Sequence, residues 1–237
     1  MTYLSAVLEY LDLARNYRKY QHELIKNFVK KKILEVGAGN GQIINDYVNN
    51  NNNNNEITLL EINSDMCSLL KKKFNLNKNV KIINSTIQNL NQQFNTILYL
   101  DVIEHIEDHE KEILDAYSKL ENYGYLVFIV PAFQNLFSNF DASVGHYRRY
   151  EKKFFLEFAK KNKIKCVKAH YFDSIGYFII IMSKLFNFMN IYIHKNKDTV
   201  TLGIKVWNLL IPISKILDKI LFNSVGKSLI CVYQKTK

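Results

Sequence analysis

Cysteine is scarce. The 237 residues contain three, Cys67, Cys166 and Cys231, far apart and odd in number. No CxxC pair and no Cys/His spacing occurs, so no zinc site or disulfide framework is implied, no metal is expected, and a reducing, cytoplasmic setting follows. The first residues carry acids and lack a basic start followed by an apolar run, so no signal peptide is expected. Long uninterrupted apolar stretches are missing as well. Residues 175–193 include Lys184 and two asparagines, and residues 202–222 include Lys205, Lys215, Asp218, Lys219 and a central Pro212. Neither block reads as a spanning segment. A helical cover over the fold is the expectation, with peripheral attachment to a membrane surface as the alternative. Acidic residues are in deficit, 22 against 32 Lys+Arg, for a net charge of +10. That balance favours anionic partners such as nucleic acid, phospholipid or phosphorylated sugars. Scattered lysines and the asparagine run at 49–55 fit a drift in composition equally well.

What is present is a core. Apolar residues make up 48% and aromatics 13% of the chain, which excludes global disorder. The length suits a single α/β domain over 1–237 with some embellishment. Residues 2–29 show helical spacing, and 32–36 form a short apolar run that stops at Gly37 and reads as a buried strand. A helix follows at 42–48, then strands at 57–62, 80–83, 96–100 and 126–130. Helices over 64–74 and 107–120 lie between them. A helix at 151–162, a strand at 164–170 and a last strand at 228–234 complete the pattern. Strands alternating with helices imply a Rossmann-like, seven-stranded, mostly parallel sheet with helices on both faces. The apolar helical insertion at about 175–222 precedes the last strand.

The most informative stretch is Ile33-Leu34-Glu35-Val36-Gly37-Ala38-Gly39-Asn40-Gly41. A strand, a glycine-rich turn and a helix start, in that order, make a nucleotide-type site. A dinucleotide fingerprint would need GxGxxG, but position 42 is Gln, which argues against a nicotinamide oxidoreductase. An acid two residues before the first glycine suits a cationic ligand and would repel a pyrophosphate. Glu61 ends the second strand, 20 residues after Gly41, where a carboxylate can accept both ribose hydroxyls. Asp101-Val102-Ile103-Glu104-His105 closes the fourth strand, at the edge where ligands sit in open α/β sheets.

Over residues 17–170 these motifs resemble class I S-adenosylmethionine-dependent methyltransferases of the small-molecule kind. The segment Asp141 to Tyr150 (DASVGHYRRY) is similar to one in bacterial members associated with glycosyltransferases. The resemblance implies S-adenosyl-L-methionine as cofactor, with Glu35 at its methionine amino end and Gly37, Ala38, Gly39 and Gly41 forming the turn. It puts Glu61 and Ile62 at the ribose, Asp101 and Val102 on the methionine side, and Tyr17 in the same set. Where the family carries Gly-Asp against adenine, this chain has Ser85-Thr86, so Thr86 and Ile87 are expected there without an acid. His105 and His146 are candidate general bases. Arg148 and Arg149 could grip a phosphate or carboxylate of the substrate. Only Pro131 and Pro212 are prolines. A Pro-Pro-aromatic motif for exocyclic DNA amines is therefore missing, and no cysteine follows a proline to attack a pyrimidine. A small-molecule, sugar or lipid-linked acceptor is preferred. An RNA acceptor, or a non-catalytic cofactor-binding or peripheral membrane role, is the alternative.

Overall fold

In the computed structural model the described residues are 13–42, 44–48, 55–185 and 197–237. The sequence expectations for residues 1–12 and 186–196 fall outside them. Seven strands form one sheet: β1 Lys32–Val36, β2 Glu56–Glu61, β3 Val80–Asn84, β4 Phe94–Leu100, β5 Leu120–Pro131, β6 Lys165–Phe172 and β7 Ser228–Gln234. Their order is β3-β2-β1-β4-β5-β7-β6, with β7 antiparallel to both its neighbours. The strand order reverses between β1 and β4, which lie side by side and parallel. In open α/β sheets the C-terminal ends of the strands at such a switch are where ligands bind.

Period-two alternation explains why the middle of the sheet is apolar on both faces. Leu34, Ile97, Leu126, Phe128 and Cys231 point to one core, and Ile33, Leu59, Leu98, Val127 and Ile230 to the other. Helices α4 (His109–Ser118) and α6 (Lys152–Lys161) cover the first through Ile113, Ala116, Phe155 and Phe158. The second core is covered by α1 (Arg15–Ile25) and α3 (Ser64–Lys73), with Tyr17, Tyr20, Ile25 and Leu70 inward. Between them the helix expected at 42–48 shortens to α2, Asn45–Val48, because the glycine turn runs on through Gly41. The strand expected at 126–130 extends back to Leu120, past a register shift opposite Phe94 and Thr96. A short α5, Asn139–Ser143, follows β5.

The insertion consists of α7, Ser174–Leu185, and α8, Lys197–Ile220, which contains Pro212. It is tied to the domain by a buried polar knot. Asp218 accepts from the backbone N–H groups of Asp173 and Ser174 and from the Tyr20 hydroxyl, each at 2.8 Å. Asp173, at φ 63°, caps α7 by accepting from Gly176 N–H at 3.0 Å, and its carboxylate also accepts from Trp207 Nε1 at 3.0 Å. Removing the Asp218 carboxylate strands three buried donors. Asp218→Ala is expected to cost about 3 kcal/mol in urea unfolding followed by the fluorescence of the single tryptophan, Trp207. An unshifted midpoint would show that the knot does not hold the insertion.

Candidate active site

The turn after β1 is built from three glycines with left-handed backbone, Gly37 at φ 64°, Gly39 at 52° and Gly41 at 66°. Space enforces two of them. A Cβ on Gly37 would stand 2.7 Å from Val102 Cγ2, and one on Gly41 would stand 2.8 Å from Leu70 Cδ2. The Gly37 N–H donates to Leu60 O at 2.8 Å, fastening the turn to β2. One bond then links the two sequence motifs. Gly39 N–H donates to Glu61 Oε2 at 3.0 Å, while Glu61 Oε1 accepts from Asn63 N–H at 2.9 Å. The turn and the carboxylate closing β2 therefore face each other, and each carboxylate oxygen keeps lone pairs for further donors.

Glu35 lies on β1 just before the turn and is buried, with Oε2 lacking any hydrogen-bond partner. Burial raises its carboxyl to about 8, against the pull of the nearby Arg18 and Lys73 charges. A buried acid with a free oxygen beside a backbone cradle suits an ammonium group, which would restore the charge that burial suppresses.

Around this centre the expected residues divide. Ala38 is buried in the turn, Ile62 is 75% exposed beside Glu61, and Thr86 is exposed at the end of β3. Ile87 is wholly buried in the core, so its side chain is not open to a ligand. Tyr17 also turns inward. Its hydroxyl pairs with Ser228 Oγ at 2.7 Å and its ring lies 4.9 Å from Trp207. Two residues on the same helix face the site instead. Gln21 Nε2 donates to Asp101 Oδ2 at 3.2 Å, and Arg18 Nη1 lies 3.7 Å from the same oxygen. Asp101 itself has φ 58° and donates its N–H to Ile129 O at 2.8 Å, which turns the chain sharply after β4. Asn84, a further residue not expected from sequence, donates to Glu61 O at 2.8 Å and Ile62 O at 2.9 Å, shaping the loop after β2.

The histidines meet. The His105 and His146 rings are 4.5 Å apart, nearly perpendicular, although 41 residues separate them. Burial and the neighbouring His146 hold His105 below the usual imidazole range. His146 Nδ1 pairs with Asp141 Oδ1 at 3.0 Å. Burial alone would raise the Asp141 carboxyl. The His146 bond, the Arg149 charge and the Ser138 bond outweigh it and hold Asp141 at about 2. The two arginines build the loop instead of standing open to an anion. Arg149 grips Asp141 bidentately at 2.9 and 3.0 Å, and Arg148 donates to Ile106 O at 2.7 Å and Glu107 O at 2.9 Å.

This layout is the class I, Rossmann-like arrangement, with the candidate site residues gathered at the C-terminal ends of β1, β2 and β4. A family model described as a methyltransferase domain matches residues 9–171, and the chain belongs to that family. No curated protein matches. Among solved structures the fold is similar to phosphoethanolamine N-methyltransferase 2 of Haemonchus contortus in complex with S-adenosyl-L-methionine. That match has a TM-score of 0.62 and 15% identity and covers 92% of this chain, which spans only 53% of that protein. It is also similar to the N-methyltransferase NodS of Bradyrhizobium japonicum bound to S-adenosyl-L-homocysteine, at TM-score 0.56 and 11% identity, covering 92% of this chain and 87% of that one. A third is the [4+2]-cyclase SpnF, at TM-score 0.60 and 14% identity, with coverage of 92% and 80%. A cyclase on the same scaffold means that activity must be argued from the site.

The Glu35 carboxyl fixes a pH dependence. It is protonated below about 8 and would have to ionise to pair with an ammonium. S-adenosylhomocysteine affinity is expected to rise about tenfold between pH 6.5 and 8 in calorimetric titrations. In Glu35→Gln the profile should be flat and the binding weak. A rise that persists in the variant would assign the titrating group elsewhere.

Proposed function

We propose that this chain transfers the methyl group of S-adenosylmethionine to a small, lipid-linked acceptor presented at an anionic membrane surface. The buried, unpartnered oxygen of Glu35 beside the Gly39–Glu61 contact carries the cofactor reading. When bound, the cofactor supplies an activated methyl on a sulfonium, so the protein's work is alignment and exclusion of water. Glu35 receives the methionine ammonium, with Asp101 and Val102 on the same side. The Gly37–Gly41 backbone lets the ligand approach closely. Glu61 accepts the ribose hydroxyls, and Ile62 and Thr86 flank the base without an acidic contact to its amino group. His105 and His146 stand at the acceptor's side of Asp101, where an imidazole would remove the acceptor's proton.

The lipid reading rests on α8. Leu202, Val206, Leu209, Ile213, Ile216 and Ile220 are all exposed and recur at three- and four-residue intervals, one unbroken apolar stripe. Leu209 is 72% exposed and Phe222, just beyond the helix, 91%. The opposite face buries Ile211, Ser214 and Asp218 against the domain. Exposed Lys205 and Lys219 flank the stripe on a chain of net charge +10. No helix among the described residues is long and apolar enough to cross a membrane. An apolar stripe edged by lysines is what a surface-lying helix needs.

Labelled S-adenosylmethionine offered with vesicles of bacterial polar lipid extract, and separately with the aqueous extract, tests both parts. Label should enter the organic phase, and Leu209→Glu/Ile216→Glu should lower that transfer about tenfold while leaving S-adenosylhomocysteine binding unchanged. Label confined to water-soluble products would overturn the lipid-linked acceptor, and no transfer to either would overturn the catalytic reading.

A further inference from the structure

The loop after β4 and the loop after β5 bring together a set of ligand atoms that methyl transfer does not require. One carboxylate oxygen of Glu104 and one ring nitrogen each of His105 and His146 lie within 4.8 Å of one another. We propose that these three residues bind a single divalent transition-metal ion beside the methyl-transfer site.

Four observations converge on it. First, Glu104 is wholly buried, and neither of its carboxylate oxygens has a hydrogen-bond partner. A buried carboxylate without donors is costly, and a cation is the usual remedy. Second, the neighbouring cations are already committed. Arg149 is held bidentately by Asp141, Arg148 is held by two backbone carbonyls, and Arg18 faces Asp101 and Gln21. No described cation forms an ion pair with Glu104 among the contacts of this region, so it is the carboxylate left over. Third, one of the histidines is backed by a carboxylate. The Nδ1 of His146 is fixed by Asp141 at 3.0 Å, leaving Nε2 to point elsewhere. A carboxylate behind a histidine is the arrangement that fixes tautomer and ring direction at metal centres. His105 Nδ1 packs beside Gly145, whose own φ is 85°. Fourth, hydrogen bonds tie the two loops together. Tyr147 N–H donates to Glu104 O at 2.9 Å, His146 N–H to Asp141 O at 2.9 Å, and the Tyr150 hydroxyl to Ile103 O at 3.2 Å.

Two imidazoles with one carboxylate select a first-row transition ion such as Zn²⁺, Mn²⁺ or Co²⁺ over Mg²⁺ or Ca²⁺, which prefer oxygen ligands throughout. Three protein ligands leave coordination positions for the acceptor. This rests on the methyl-transfer reading above but replaces its general-base step: with the ion bound, the two histidines would serve as its ligands, and an acceptor hydroxyl on the ion would lose its proton to solvent at lower pH. No cysteine spacing marks such a site in the chain. This set comes from two segments, 41 residues apart.

The test needs no methyl donor. Full-length protein stripped with chelator and dialysed is titrated with CoCl₂ and followed by visible absorption and thermal melting. A d–d band saturating at one ion per chain, with a raised Tm, is expected. Glu104→Gln and His146→Gln should each weaken binding about a hundredfold, and Asp141→Asn, which reaches the ion only through His146, about tenfold. Absence of a saturating band in folded wild-type protein would overturn the site, as would a band that survives unchanged in Glu104→Gln. Because cobalt binding is read without turnover, its failure is distinguishable from failure of the methyl-transfer reading.

Discussion

The contact between Gly39 N–H and the Glu61 carboxylate is the constraint on which the rest of the site depends. It joins the left-handed turn after β1 to the end of β2, and it can form only because both strands stop at the same level of the sheet. The parallel register Val36 to Leu60 sets that level. The bond also explains why the glycines cannot be replaced. The turn must pass under Val102 on one side and over Leu70 on the other to bring Gly39 to the carboxylate. A backbone so placed presents N–H groups and no Cβ, a surface to which a nucleoside can come close.

A second layer of organisation lies on the far side of β4. There the chain uses charge in an unusual economy, with most buried or half-buried acids given a fixed donor. Asp141 has Arg149, His146 and Ser138; Asp101 has Gln21 and Arg18; Asp218 has two backbone amides and Tyr20. Glu35 and Glu104 retain oxygens without one. Those two acids sit in the two motifs that close β1 and β4, and both contribute free acceptors where the fold places its crevice. Burial without satisfaction marks a place where the protein carries a local cost that a ligand can relieve.

Much of this was legible in the sequence, and the limits of legibility have physical causes. The strands could be read because they are short apolar runs ended by turn residues, and their alternation with helices implies a mostly parallel sheet, although β7 runs antiparallel to both its neighbours. The Gly-rich turn and Glu61 could be read because each is local and its chemistry depends on the residue type alone. That Tyr17 and Ile87 are buried in the core could not be read, because sequence cannot say which face of a helix or turn meets the core. Tyr17 points at Ser228, 211 residues away. Arg148 and Arg149 looked like an anion clamp, yet the guanidinium groups are spent on Asp141 and on the carbonyls of Ile106 and Glu107. The partners that use them up come from other segments. Arg18, Gln21 and Asn84 were missed for the same reason: nothing within their own segments marks them until the fold puts Asp101 and Glu61 beside them.

Calorimetric titration of S-adenosylhomocysteine into the wild-type chain and Glu61→Ala, with NADH as a parallel ligand, bears most directly on the shared pocket of turn and carboxylate. The account requires saturable S-adenosylhomocysteine binding that weakens at least about tenfold without the carboxylate, and no comparable uptake of NADH. Equal affinity in the two proteins, or preference for NADH, would contradict it.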